Sequence, residues 1–151
     1  MVTTSRGDLA VRAPNGEMIA VVEVKNREDL SPEVAAALRR NLVVHGFLTD
    51  APYFLLVSQD VGFLWDRRAQ HGFDALPTAR FPMEPVINRY LPERTVGDRL
   101  RGSELELVVF QWLLDLTETP KDVLGEPERS LDGSGLLDAM RGARITNPVS
   151  V

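Results

Sequence analysis

The chain has 151 residues, 44% of them hydrophobic and 26% charged, which suits one domain with an ordinary core. A net charge of −5 argues against a broadly basic surface for nucleic acid, and the lack of cysteine excludes disulfides, thiolate zinc sites and a cysteine nucleophile. The opening MVTTSRGD has no apolar signal region and no apolar run approaches about 18 residues, so a cytoplasmic location without a membrane partner is expected.

The first element in the chain is a β-hairpin over Asp8–Lys25. Two β-rich apolar runs, Leu9–Val11 and Met18–Val24, flank Pro14-Asn15-Gly16-Glu17, and Asn-Gly is a strong hairpin signal. With Asn15 and Gly16 as the two central turn residues, Arg12 pairs with Ile19, Ala10 with Val21 and Asp8 with Glu23. Opposed residues share a face, and Lys25 points the same way as Glu23 because side chains alternate along a strand. Two carboxylates and a lysine are thereby brought together. Opposed like charges destabilise a sheet. A hard divalent cation held by both would reverse that sign, and the lysine would orient or deprotonate a water on it. The competing reading is a solvated hairpin end.

A polar link, Asn26–Leu30, leads to a helix expected over Pro32–His45, with Ser31 as N-cap and Gly46 as its stop. Val34, Ala37, Leu38, Leu42 and Val44 form its apolar side, with Asn41 and His45 in the middle. Either these are satisfied polar residues at a core rim, or the helix packs across the hairpin and aims Asn41 at the metal. Arg39 and Arg40 fall nearer the outer face, as phosphate contacts or a solvated surface. Tyr53–Val57 reads as a buried central strand, and Phe63–Trp65 as a second strand at the edge of the sheet. Arg67 and Arg68 follow it, as phosphate contacts or ordinary strand-end charges.

Prolines break 69–102 into a long connection with one helical turn near Val86–Leu91. Ser103–Thr117 is a mostly buried helix, with Ser103 and Glu106 as a capping box and Glu104, Gln111 and Asp115 as its polar stripe. Glu118–Val151 is an arm with a short helix near Gly135–Met140. Packing of that arm on a second copy, giving a homodimer, is one reading of it.

Asp8, fourteen intervening residues and then Glu23-Val24-Lys25 at the end of a hydrophobic strand resemble the PD-(D/E)XK, or restriction-endonuclease-like, nuclease superfamily. The similarity covers Asp8 to about Trp65. The chain also resembles small, uncharacterised prokaryotic members of that group in LRRNLVVHG, PYFLLV and the late amphipathic helix. The resemblance implies an α/β fold, a mixed β-sheet flanked by helices, in a single domain. Its core would be about residues 6–66 plus the helix at about 103–117.

It further implies that Asp8 and Glu23 bind Mg²⁺ (Mn²⁺ as substitute), with the Val24 carbonyl as a further ligand, and that Lys25 assists the attacking water. Gly7 stands where the motif has proline. Only seven residues precede Asp8, so the superfamily's first helix is not in its usual place, and the late helix is expected to offer Glu106, or Glu104, instead. The places of the Gln and Tyr that related nucleases often carry on the helix after the hairpin are Ala37 and Asn41. The expected function is Mg²⁺-dependent phosphodiester hydrolysis, with DNA as substrate implied by the resemblance alone. Asp8, Glu23 and Lys25 would be catalytic, and Arg39, Arg40, Asn41, Arg67 and Arg68 would contact nucleic acid. The alternative is a nuclease-fold module that binds or scaffolds without cutting.

Overall fold

In the computed structural model, residues 9–44, 51–66, 74–95 and 98–146 are described. Strands β1 (Leu9–Arg12) and β2 (Met18–Val24) form the hairpin, but its turn is one residue longer than expected. The Ala13 carbonyl accepts from Gly16 N–H at 2.8 Å, and Ala13 N–H donates to the Glu17 carbonyl at 2.9 Å. Pro14 and Asn15 therefore make the bend, and Gly16, at φ +93°, takes the left-handed position that closes a three-residue loop. The longer loop sets Arg12 opposite Met18 rather than Ile19. A bulge between Val11 and Arg12 then restores the count, so Ala10 faces Val21 as expected and Leu9 faces Val22. Two shifts of one residue cancel. Asp8, and with it the expected Asp8–Glu23 pairing, lies outside the described residues.

Helix α1 (Pro32–Val44) starts as its sequence dictates, with Val34 N–H donating to Ser31 Oγ at 3.1 Å. His45 and Gly46 lie outside the described residues. Its buried residues are Ala35, Ala36, Arg39 and Leu42, whereas Ala37 and Asn41 are exposed. At about 100° per residue, this face lies roughly a third of a turn round from the expected one. The cause is Arg39. Its charge marks it as outward, yet it is buried with its guanidinium 5.6 Å from the Trp65 ring centroid.

Strand β3 (Tyr53–Val57) is buried throughout and runs parallel to β2, with α1 as the crossover between them. Strand β4 (Val61–Trp65) is not the edge, because β5 (Ala79–Pro82) pairs outside it. Gly62 is required there: a Cβ would stand 2.2 Å from the Phe81 ring. Then come α2 (Glu84–Tyr90), α3 (Gly102–Glu118), α4 (Glu128–Leu131), α5 (Leu136–Met140) and β6 (Arg144–Thr146). The expected Ser103–Glu106 capping box does not form. Helix α3 begins at Gly102, and Glu104 accepts from Arg101 N–H at 2.8 Å.

Among the described residues the sheet is six-stranded and mixed, in the order β5-β4-β3-β2-β1-β6. Helices flank both faces. Val21, Phe54, Leu56, Phe63 and Trp65 pack with α1 on one side. Val22, Val24, Leu55 and Leu64 pack with α2, α3, α4 and α5 on the other, through residues such as Ile87, Trp112, Leu131 and Leu136. The core therefore draws on the C-terminal third as well as on the hairpin region.

The C-terminal arm folds onto its own sheet. β6 pairs antiparallel with β1, Ala10 opposite Thr146. Fully buried Glu128 ties the arm down by accepting from Arg89 Nη1 at 2.6 Å, Arg89 Nη2 at 3.3 Å and Trp112 Nε1 at 2.8 Å. Among the described residues no helix is long and apolar enough to cross a membrane.

Candidate active site at the end of the parallel strands

The β2 run Met18–Val24 ends in alternation, and that alternation decides which side chains share a face. Val22 and Val24 belong to the α3 side, and Val21 to the α1 side. Glu23 therefore projects with Val21 toward the α1 side, and is 1% exposed. Lys25 follows on that same face. Its backbone N–H extends the parallel ladder by donating to the Val57 carbonyl at 2.9 Å, and its Nζ lies 3.1 Å from Glu23 Oε2 with the side chain 33% exposed. A carboxylate taken out of water costs several kcal/mol unless it is paired. The lysine supplies that pairing and keeps a path to solvent. The arrangement holds a hard oxygen donor and a cation together at the carboxyl end of adjacent parallel strands, where open α/β sheets place their ligands.

The other expected site residues fall in several places, with Arg40 on the outer face as expected. Glu106 is exposed on α3, which packs on the sheet face opposite to Glu23, so the two carboxylates do not share a face. The Val24 side chain is buried on that opposite face, while the expectation for Val24 concerned its backbone carbonyl. Arg39 is buried against Trp65, and burial pushes its pKa down from the ordinary arginine value. Arg40 and Asn41 are on the surface, Arg40 Nη1 resting 3.0 Å from Asp74 Oδ1. Asp8, Arg67 and Arg68 lie outside the described residues, and among the described residues no group of three or more acids and histidines is placed to hold a metal ion.

A strap that the sequence did not announce crosses the same end of the sheet. Asp98–Arg101 is held through its main chain by two amide side chains. Gln59, just past β3, accepts from Leu100 N–H at 2.8 Å and donates to the Asp98 carbonyl at 3.2 Å. Asn26, next to Lys25, donates to the Leu100 carbonyl at 2.9 Å. The strap also borders a 570 Å³ cleft walled by Tyr90, Arg94, Asp98, Arg99 and Glu104. Gln59 stands in a polar turn, and only its burial at 3% exposure marks it as an anchor. Nothing in the local sequence pattern signals that.

Against known proteins, no family model, no curated sequence and no solved structure matches this chain.

Proposed function

We propose that the chain is a metal-dependent phosphodiester hydrolase acting on DNA, of the PD-(D/E)XK, restriction-endonuclease-like kind. The observation that carries this reading is the buried Glu23 carboxylate with Lys25 Nζ at 3.1 Å, at the carboxyl end of the parallel β2–β3 pair. The donor chemistry fits Mg²⁺, which takes one or two carboxylates and fills its remaining positions with water and substrate phosphate. Glu23 would be one ligand and Asp8 the other, with the Val24 carbonyl as a further candidate. A bound ion of this kind supplies Lewis acidity and a more acidic water.

The protein's own residues do the rest. Lys25 pairs with the buried Glu23 carboxylate, the oxygen donor that a metal would draw on. Lys25, beside Glu23, would orient the attacking water or steady the negative charge that develops on the phosphoryl oxygens. Glu106 has no part in this reading, because its helix packs on the other face. Dependence on a partner copy is not required either, since the arm completes its own sheet.

A second reading is favoured by the same 3.1 Å contact. If the ion pair is permanent, Glu23 and Lys25 neutralise each other, and the domain is a binding or scaffolding module that does not cut. Calorimetric titration of Mg²⁺ and Mn²⁺ into wild type, Asp8→Ala and Glu23→Gln separates the two. The hydrolase reading expects binding by wild type that both variants lose, together with DNA cleavage that Lys25→Met abolishes while DNA binding persists. Absence of metal binding and of cleavage at millimolar metal, with DNA present to supply ligands, would leave the non-cutting module.

A further inference from the structure

An acidic chain that handles a polyanion needs at least one cation held where the substrate must pass. Besides Lys25, four arginines lie near the end of β2 and β3, and their hydrogen bonds distinguish them. Arg27 spends Nε and Nη2 on Asp29, both at 3.1 Å. Arg101 turns its Nε toward Glu104 at 3.6 Å. Arg94 is buried to 7% exposure and bonds Glu84, Asn88 and the Asp98 carbonyl. Arg99 is different. It meets both Asp60 carboxylate oxygens through Nη1 alone, at 3.1 and 3.0 Å, with Glu28 4.0 Å from that same nitrogen.

The Nε and Nη2 donors of Arg99 make no hydrogen bond among the described residues. These two lie side by side on the other edge of the guanidinium plane, the fork that matches two oxygens of a phosphate. Asp60 thus fixes the plane from behind and leaves the recognition edge open. The side chain is 34% exposed, and its backbone is fastened on either side by the Gln59 contacts to Asp98 and Leu100. Such preorganisation lowers the ordering cost of binding.

We infer that Arg99 grips a backbone phosphate of a polynucleotide bound at this end of the sheet. This rests on the nucleic-acid reading given above. Arg99 is a binding and positioning residue. It stands one residue from Leu100, which is bonded to Asn26, the neighbour of Lys25. The group it recognises is the sugar–phosphate backbone, so it carries no base preference.

The test is fluorescence anisotropy of a labelled DNA duplex and of the matching single strand, in Ca²⁺, across a salt series. Wild type, Arg99→Ala, Arg99→Lys and Asp60→Asn are compared. Arg99→Ala should weaken binding several-fold and lower the slope of log K against log salt by about 1. Arg99→Lys should keep the slope but recover only part of the affinity, because the charge stays and the fork is lost. Asp60→Asn breaks the same ion pair yet keeps the fork, and should bind at least as tightly as wild type.

Unchanged affinity and slope in Arg99→Ala, with wild type binding, would overturn the role of Arg99 and leave the hydrolase reading standing. Equal loss in Asp60→Asn and Arg99→Ala would make the residue structural and overturn it too. Failure of wild type to bind either nucleic acid removes the reading and the inference together. Should Arg99→Ala fold poorly by circular dichroism, the Arg99→Lys and Asp60→Asn pair still decides the matter.

Discussion

Lys25 and Glu23, two positions apart where β2 ends, form a 3.1 Å ion pair whose acid is 1% exposed and whose base is 33% exposed. The asymmetry gives the lysine two duties, since it neutralises a buried charge and remains reachable from solvent. Removing it should therefore register in stability as well as in chemistry. Lys25→Ala is expected to lower unfolding free energy by about 1–3 kcal/mol, because a charged group is left buried with less compensation. Lys25→Met with Glu23→Gln should recover much of that loss, and a urea double-mutant cycle measures the coupling. Simple additivity of the two changes would refute a coupled pair.

The contact of Gly62 with Phe81 predicts a steric cost of the opposite kind. Gly62→Ala places a methyl where the Phe81 ring already lies, and should cost about 1–3 kcal/mol through overpacking. Phe81→Leu in the Gly62→Ala background should regain part of it. Urea midpoints of the two single variants and the double variant check this, and a double variant no better than Gly62→Ala would contradict it.

Arg39 and Arg40 are adjacent in sequence and should behave as strangers. Arg39→Ala empties space beside Trp65 and is expected to cost about 2–4 kcal/mol, with a change in tryptophan fluorescence. Arg40→Ala removes an exposed pair with Asp74 and should stay within about 0.5 kcal/mol. Equal effects would mean that α1 presents a different face to the sheet.

Glu128 sets an acid limit on stability. Burial by itself raises its pKa, but hydrogen bonds from Arg89 and Trp112 outweigh that and hold the carboxyl below its ordinary 4.5. A folded-state value below the unfolded one means that the contribution is complete above about pH 4.5 and is lost as pH falls through the folded value. The melting temperatures of wild type and Glu128→Gln should therefore differ most at neutral pH and converge in acid. A difference that stays constant down the acid limb would show that the carboxylate's charge is irrelevant.

Tyr90 works at the other end of the scale. Burial, then its hydrogen bond to Asp115, pushes the phenol above its ordinary 10. Its contribution is present below pH 10 and lost as pH rises through the folded value. Tyr90→Phe should cost about 1 kcal/mol at neutral pH, read as a shift in urea midpoint.

What could be read from the sequence was what local chemistry determines. Met18–Val24, Tyr53–Val57 and the Ser31-Pro32 start of α1 are where apolar runs and a cap put them. The Glu23–Lys25 juxtaposition followed from alternation alone. Arg39 was misplaced because a pattern of polar and apolar letters cannot register a cation lying on an aromatic ring. β6, only three residues long, has no periodicity to detect and exists because β1 offers it a partner. The strap is similar, since its anchors Gln59 and Asn26 lie far from it in sequence and act through side-chain amides on a backbone. Contacts of that sort are written in three dimensions only.

The pairing of β6 with β1 has a further consequence for how the chain reaches its native state. Of the described strands, synthesis delivers β1 first and β6 last, so the outer flank of the hairpin stays uncovered while those between them are made. That flank carries unsatisfied backbone donors and acceptors, the kind of surface that recruits stray strands. The Glu128 anchor precedes β6 in the chain and, by docking on α2 and α3, would carry the last strand toward its gap. Ribosome-stalled chains that stop before Arg144 should then be the ones that chaperones hold longest.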